Sequence, residues 1–128
     1  MIDLIQGNYQ NIRGWFNFED IYQTMVSLAP EKSKFCEIGA YMGKSTFFLM
    51  SEIVKSKKDI ELHVVDSWDF NDSGCTSNSK TYDIFLENMK PFLGKFKIHK
   101  GLSHEIIKNS PINISGICLL MPRTITLL

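Results

Sequence analysis

The residues best suited to chemistry lie in one short stretch, Glu37-Ile38-Gly39-Ala40-Tyr41-Met42-Gly43-Lys44-Ser45-Thr46. Gly39 lets the backbone turn sharply and lets a ligand approach where a Cβ would stand in the way. Gly43 does the same beside the start of a helix. The free N–H groups of that helix, with Ser45, suit a carboxylate. Glu37 can receive a cation such as an ammonium group. Asp66 follows 23 residues after Gly43. At the end of a strand, an acidic side chain there can accept both hydroxyls of a ribose. Trp68, just beyond, can wall a pocket or simply join the core.

The elements that must position these groups alternate. Asn17 is expected to cap a first helix, with Phe18, Ile21, Tyr22, Met25 and Leu28 at helical spacing and Pro30 as its stop. Phe35 to Ile38 reads as a strand. A second helix is expected over 44–54, with Leu49, Met50 and Ile53 on its apolar side, and 55–59 as a solvated turn. Ile60, Leu62 and Val64 alternate with Glu61 and His63, which predicts a strand closing on Val65-Asp66. Residues 71–79 are rich in Asn, Ser, Gly and Asp and read as a loop. Tyr82, Phe85, Met89 and Phe92 share one face of a third helix that Gly94 ends. Residues 96–99 form a third strand, Ser103 opens a short helix that Pro111 breaks, and 117–120 form a fourth strand. The alternation predicts an α/β fold, a parallel sheet with helices on both faces, and ligands at the carboxyl ends of its strands.

Composition narrows the partners. The 128 residues suit one domain, with 1–30 as a helical lead-in. Fourteen basic and fourteen acidic side chains cancel, so no nucleic acid and no anionic membrane is expected as partner. Residues 1–10 lack a basic n-region, and no apolar run reaches the ~20 residues that span a bilayer. Cys36, Cys75 and Cys118 form neither a zinc pattern nor a disulfide framework, which suits reduced thiols in a cytoplasmic protein. Oligomeric state is not legible.

Three ligands compete for the glycine loop. A dinucleotide fingerprint needs G-x-G-x-x-G, whereas this loop is G-x-x-x-G. A phosphate-binding P-loop needs one residue more before its Gly-Lys-Ser. S-adenosylmethionine needs places for a carboxylate, an ammonium, a ribose diol and an adenine. Glu37, the glycine loop and Asp66 meet that set best. The remaining alternative is a strand-to-helix turn with no ligand at all.

The same stretch resembles the first motif of catechol-type O-methyltransferases. It resembles more closely the class I S-adenosylmethionine-dependent group that includes macrocin-type sugar O-methyltransferases. Gly14-Trp15-Phe16, Asp66-Ser67-Trp68, the Tyr82, Phe85, Asn88, Met89 helix and Gly101-Leu102-Ser103 match that group's further motifs in order, over roughly 12–115. The resemblance implies a Rossmann-like fold and methyl transfer to an oxygen of a small molecule or sugar. It implies that Glu37, Gly39, Ala40, Tyr41, Gly43 and Ser45 surround the methionine part of the cofactor. Asp66, with Ser67 and Trp68, would serve the ribose side, and Ser103 and His104 would lie along the adenine. His63 and His99 are expected to pack rather than ligate.

The chain departs from the family after its fourth strand. Relatives carry an Ile-Asp-x-x-His-type segment there, whereas residues 121–128 read Met-Pro-Arg-Thr-Ile-Thr-Leu-Leu and no acidic residue follows Glu105. No catalytic base, metal ligand or acceptor pocket is therefore legible, although full-length relatives can use a divalent metal. The chain is expected to be truncated after about the fourth strand, with little or no activity alone, or to act as a cofactor-binding half with a partner chain. From Gly116 onward its codons, shifted by one base, permit D-L-F-I-D-A-S-H-D-Y, so an out-of-frame tail is expected.

Overall fold

The computed structural model describes residues 8–68, 80–109 and 117–120. The expected loop over 71–79, Cys75, Pro111 and the tail over 121–128 lie outside the described residues. Four parallel strands, β1 (Lys34–Ile38), β2 (Glu61–Asp66), β3 (Lys97–Lys100) and β4 (Ile117–Leu120), form one sheet in the order β3-β2-β1-β4. Helices α1 (Glu19–Leu28), α2 (Lys44–Ser56), α3 (Lys80–Asn88) and α4 (Ser103–Asn109) connect or precede them. The order steps outward from β1 to β3, then returns to the far side of β1. That reversal puts the switch point of the sheet at the end of β1, where such folds bind ligands.

Strand alternation separates two faces. Phe35, Leu62 and Val64 meet α1, α2 and α3 in the main core, with Tyr22, Val26, Phe47, Phe48, Phe85 and Met89. Cys36, Ile38 and Val65 form a smaller cluster on the other face, against Ile106 of α4. The expected α/β sheet with helices on both faces is thus what the chain forms. Helix α2 is buried continuously from Ser45 to Ile53; its polar members in that stretch are satisfied inside, Ser45 and Thr46 on Glu37, Ser51 on the Phe47 carbonyl and Glu52 by Gln23. It runs to Ser56, two residues past the expected end, and closes on Lys57 in a left-handed conformation.

The first helix departs from expectation. It starts at Glu19, and Phe18 occupies its cap position with no side-chain cap bond, so Asn17 does not cap it. Glu19 and Asp20 supply the negative charge that its N-terminus favours. Tyr22 and Val26 carry the packing, whereas Ile21 is 55% and Leu28 77% exposed. At its other end the Lys58 ammonium donates to the carbonyls of Val26, Ser27 and Ala29, at 2.9, 2.6 and 2.9 Å. Three otherwise orphaned acceptors are satisfied by one cation from the turn before β2. The third helix is also shorter than expected: α3 stops at Asn88 and a 3-10 turn over Lys90–Phe92 carries Phe92 into the core.

These burials predict a contrast within α1. Val26→Ala should lower the unfolding free energy by about 1.5–3 kcal/mol, while Leu28→Ala should stay within about 0.5 kcal/mol. Urea denaturation of both variants checks it, and equal effects would refute the assigned face.

Candidate functional site

The carboxyl ends of β1, β2 and β3 enclose a cleft of about 190 Å³, lined by Ile38, Gly39, Val65, Asp66, Ser67, Gly101 and Leu102. Whole small-molecule sites occupy roughly 300–1,000 Å³, so this space fits one part of such a ligand. Asp66 is half-buried and is the only charged residue among those described along the cleft. Its Oδ2 accepts the Tyr41 N–H and its Oδ1 the Trp68 N–H, both at 2.8 Å. A carboxylate has about four lone-pair positions, so each oxygen keeps capacity for a second donor. The cleft therefore offers a fixed anion beside open backbone, which suits a vicinal diol and opposes a phosphate.

The cation on the neighbouring strand is turned elsewhere. Lys100, in register with Asp66, holds its ammonium 4.6 Å from the centre of the Tyr82 ring. The stem of Lys44 packs beside Gly14 in the N-terminal segment. Neither arrangement resembles a phosphate cradle.

Glu37 stands behind the cleft, fully buried at the end of β1. It accepts the Tyr22 hydroxyl at 2.9 Å and the Thr46 hydroxyl in a short contact, with Ser45 as a further donor. Burial pushes its carboxyl above the usual range, against the pull of those three hydroxyls, and the charge of Asp66 pushes the same way. Burial beside Glu37 raises the Tyr22 phenol as well. Glu37 and Ser45 are thus committed to each other and to α1.

The expected site residues divide accordingly. Gly39, Asp66 and Ser67 meet at the cleft, joined by Gly101 and Leu102 of the Gly101-Leu102-Ser103 motif. Ala40 and Tyr41 are buried in the turn behind it. Gly43 faces inward: a Cβ there would stand 3.1 Å from Phe85 and 3.3 Å from the Met89 sulfur, and its φ of +94° is one that side chains avoid. Trp68 is 3% exposed, tilted against Tyr82 and Phe85 in the core rather than along the cleft. Ser103 opens α4 immediately after Leu102, and its side chain lies outside the described residues. His104 is exposed and does not line the cleft. Ile38 and Val65 were not expected at the site; their positions at strand ends were the available signal. Nothing in the spacing pointed to Tyr22 as a partner of Glu37.

His63 and His99 pack on each other, Nδ1 to Nε2 at 2.9 Å, on the α4 face of the sheet. Burial, then the charges of His63 and Lys97, hold His99 below the usual range. Lys97 pairs with Glu61 beside them. Among the described residues no group of three or more His, Cys, Asp and Glu could hold a metal ion. No helix among them is long and apolar enough to cross a membrane. A second groove of about 320 Å³ runs between α1 and α2, far from the strand ends. Its polar groups are largely spent on Gln23–Glu52 and on the Lys58 contacts.

Fold and site together define a Rossmann-like α/β unit with an acidic cleft at its strand ends. No family model matches the chain, and no curated protein matches it. Among solved structures it is similar to a Staphylococcus aureus protein provisionally assigned as a caffeoyl-CoA O-methyltransferase, with 15% identity and a TM-score of 0.53. The likeness covers 84% of this chain and 47% of that one, so the chain spans about half the length of the structure it matches. At that identity the similarity establishes the fold.

The buried carboxyl carries a pH signature. A group whose folded-state pKa is raised holds its proton more tightly in the native state. Its contribution to stability is full below the unfolded value, about 4.3, and is lost as pH rises through the folded value. Urea midpoints of the parent chain should therefore fall relative to Glu37→Gln as pH climbs above about 4. Parallel profiles for the two chains would contradict the assignment.

Proposed function

We propose that the chain binds S-adenosylmethionine at the cleft over β1 and β2 and belongs to a methyltransferase acting on an oxygen of a small molecule or sugar. The observation that carries this reading is Asp66: one half-buried carboxylate, held by two backbone N–H groups, in a cleft with no described cation along it. S-adenosylmethionine is a nucleoside with a diol and no phosphate, and the site's chemistry fits that description. The motif order from Gly14 to Ser103 and the likeness in fold to an assigned O-methyltransferase support the same reading.

In this reading Asp66 accepts the ribose hydroxyls, and the backbone at Gly39 lets the cofactor approach closely. Ser67, Gly101 and Leu102 border the nucleoside. Ala40 and Tyr41 shape the turn from within. Glu37 and Ser45 act on the methionine side through the loop they hold, since their own polar groups are spent on each other and on Tyr22 and Thr46. When bound, S-adenosylmethionine supplies an electrophilic methyl group. Catalysis by such folds rests largely on positioning an acceptor oxygen in line with it.

Calorimetry with S-adenosylhomocysteine and with ATP–Mg tests the reading. Binding of the first and not the second is expected. Asp66→Ala should weaken it by about 3 kcal/mol, roughly a hundredfold, through loss of two charge-assisted hydrogen bonds. Binding of ATP–Mg alone, or equal binding by Asp66→Ala, would overturn it.

A further inference from the structure

Three hydrogen bonds close a ring behind the cleft, each 2.8 Å long. The Tyr41 N–H donates to Asp66 Oδ2, the Trp68 N–H donates to Asp66 Oδ1, and the Trp68 indole N–H donates to the Tyr41 carbonyl. The bond from Trp68 N–H to the carboxylate two residues earlier is a local turn that acidic residues form readily. The other two cross between the loop after β1 and the loop after β2. Tyr41 and Trp68 both have φ of 52°, a left-handed conformation that residues with a Cβ avoid. Two such residues in hydrogen-bonded contact require a surrounding structure that holds them there.

The source of that constraint is the indole. Trp68 lies 4.8 Å from the Tyr82 ring and 4.9 Å from the Phe85 ring, between centroids. Phe85 in turn presses on Gly43 at the start of α2. Asn88 Nδ2, on the same helix as Tyr82 and Phe85, donates to the Met42 carbonyl at 2.9 Å. The loop after β1 is therefore held at two successive carbonyls, Tyr41 by the Trp68 indole and Met42 by Asn88 of α3. Only the first of these belongs to a residue whose own N–H also contacts the Asp66 carboxylate.

We propose that Trp68 is a positioning residue: its core-anchored indole N–H fixes Tyr41, and Tyr41 with the Trp68 amide fixes the Asp66 carboxylate so that its unused lone pairs stand toward the cleft for a vicinal diol. The proposal rests on the cofactor reading above and adds the device that prepares the site for the ligand. An acceptor already oriented avoids the ordering cost that binding would otherwise carry. A tryptophan serving only as core filler would stabilise the whole fold and leave this one carboxylate no better oriented than the rest.

Trp68→Phe keeps an aromatic ring against Tyr82 and Phe85 and deletes the indole donor. Two readouts apply: affinity for S-adenosylhomocysteine, and hydrogen exchange of individual backbone amides without ligand. Affinity should fall about tenfold, equivalent to ~1.4 kcal/mol. The Tyr41 and Trp68 amides should exchange at least about tenfold faster, while amides of β1, β2 and α2 keep their protection. Uniform loss of protection across those elements would show a merely structural role and overturn the proposal. Unchanged affinity with unchanged Tyr41 and Trp68 exchange would overturn it as well. Should Trp68→Phe fail to fold, benzothienylalanine at position 68 in a Trp15→Phe background replaces the N–H with sulfur at nearly constant volume and is read the same way. If the parent chain fails to bind S-adenosylhomocysteine, the cofactor reading fails by itself. Selective exchange at Tyr41 and Trp68 then still supports the clasp, and its absence refutes it.

Discussion

A carboxyl buried without solvent contact at the end of β1 constrains everything around it. Glu37 must have hydrogen-bond donors, because an unsatisfied acid in the core would cost several kcal/mol. It takes them from Tyr22 on α1 and from Thr46 and Ser45 on α2. One side chain thereby joins the N-terminal helix, the central strand and the helix that follows the glycine loop. The same demand turns Ser45 inward, 0% exposed, and keeps it off the cleft. The loop between Glu37 and Ser45 is left with its backbone as its means of contact.

Two acidic residues at adjacent strand ends thus take opposite tasks. Glu37 is wholly enclosed by hydroxyls, and burial favours its protonated form. Asp66 is half-exposed, takes two backbone N–H groups, and keeps a side toward the cleft. Their environments separate them: the first organises elements and the second stays open to the cleft. Because no Lys or Arg is among the described residues lining the cleft, and the Lys100 ammonium lies over the Tyr82 ring, Asp66 sets the sign of the cleft.

Much of this was legible in the residues. The strands could be read because alternation such as Ile60, Leu62, Val64 is forced by a pleated backbone between two layers, and all four appear within a residue or so of their expected places. The meeting of Gly39 and Asp66 could be read because one follows β1 and the other ends β2, adjacent parallel strands, which brings them to one edge. The directions of side chains were less accessible. In α1 both the Ile21–Leu28 stripe and the Tyr22–Val26 stripe are apolar, and the choice between them follows from where Glu37 needs a phenol. Trp68 could stand on either side of its turn, and a left-handed φ at a tryptophan is set by tertiary contacts rather than by propensity. Gly43 read as a ligand approach, yet Phe85 and Met89 explain its lack of a side chain.

The central claim is that the ligand surface of this fold is the cleft beside Asp66. Amide chemical-shift mapping on addition of S-adenosylhomocysteine tests it most directly. The account predicts that the largest changes fall at Gly39, Asp66, Ser67, Gly101 and Leu102, with Gln23, Glu52 and Lys58 in the α1–α2 groove unmoved. Shifts centred on that groove, or a saturating titration that leaves Gly39 and Asp66 unchanged, would contradict it.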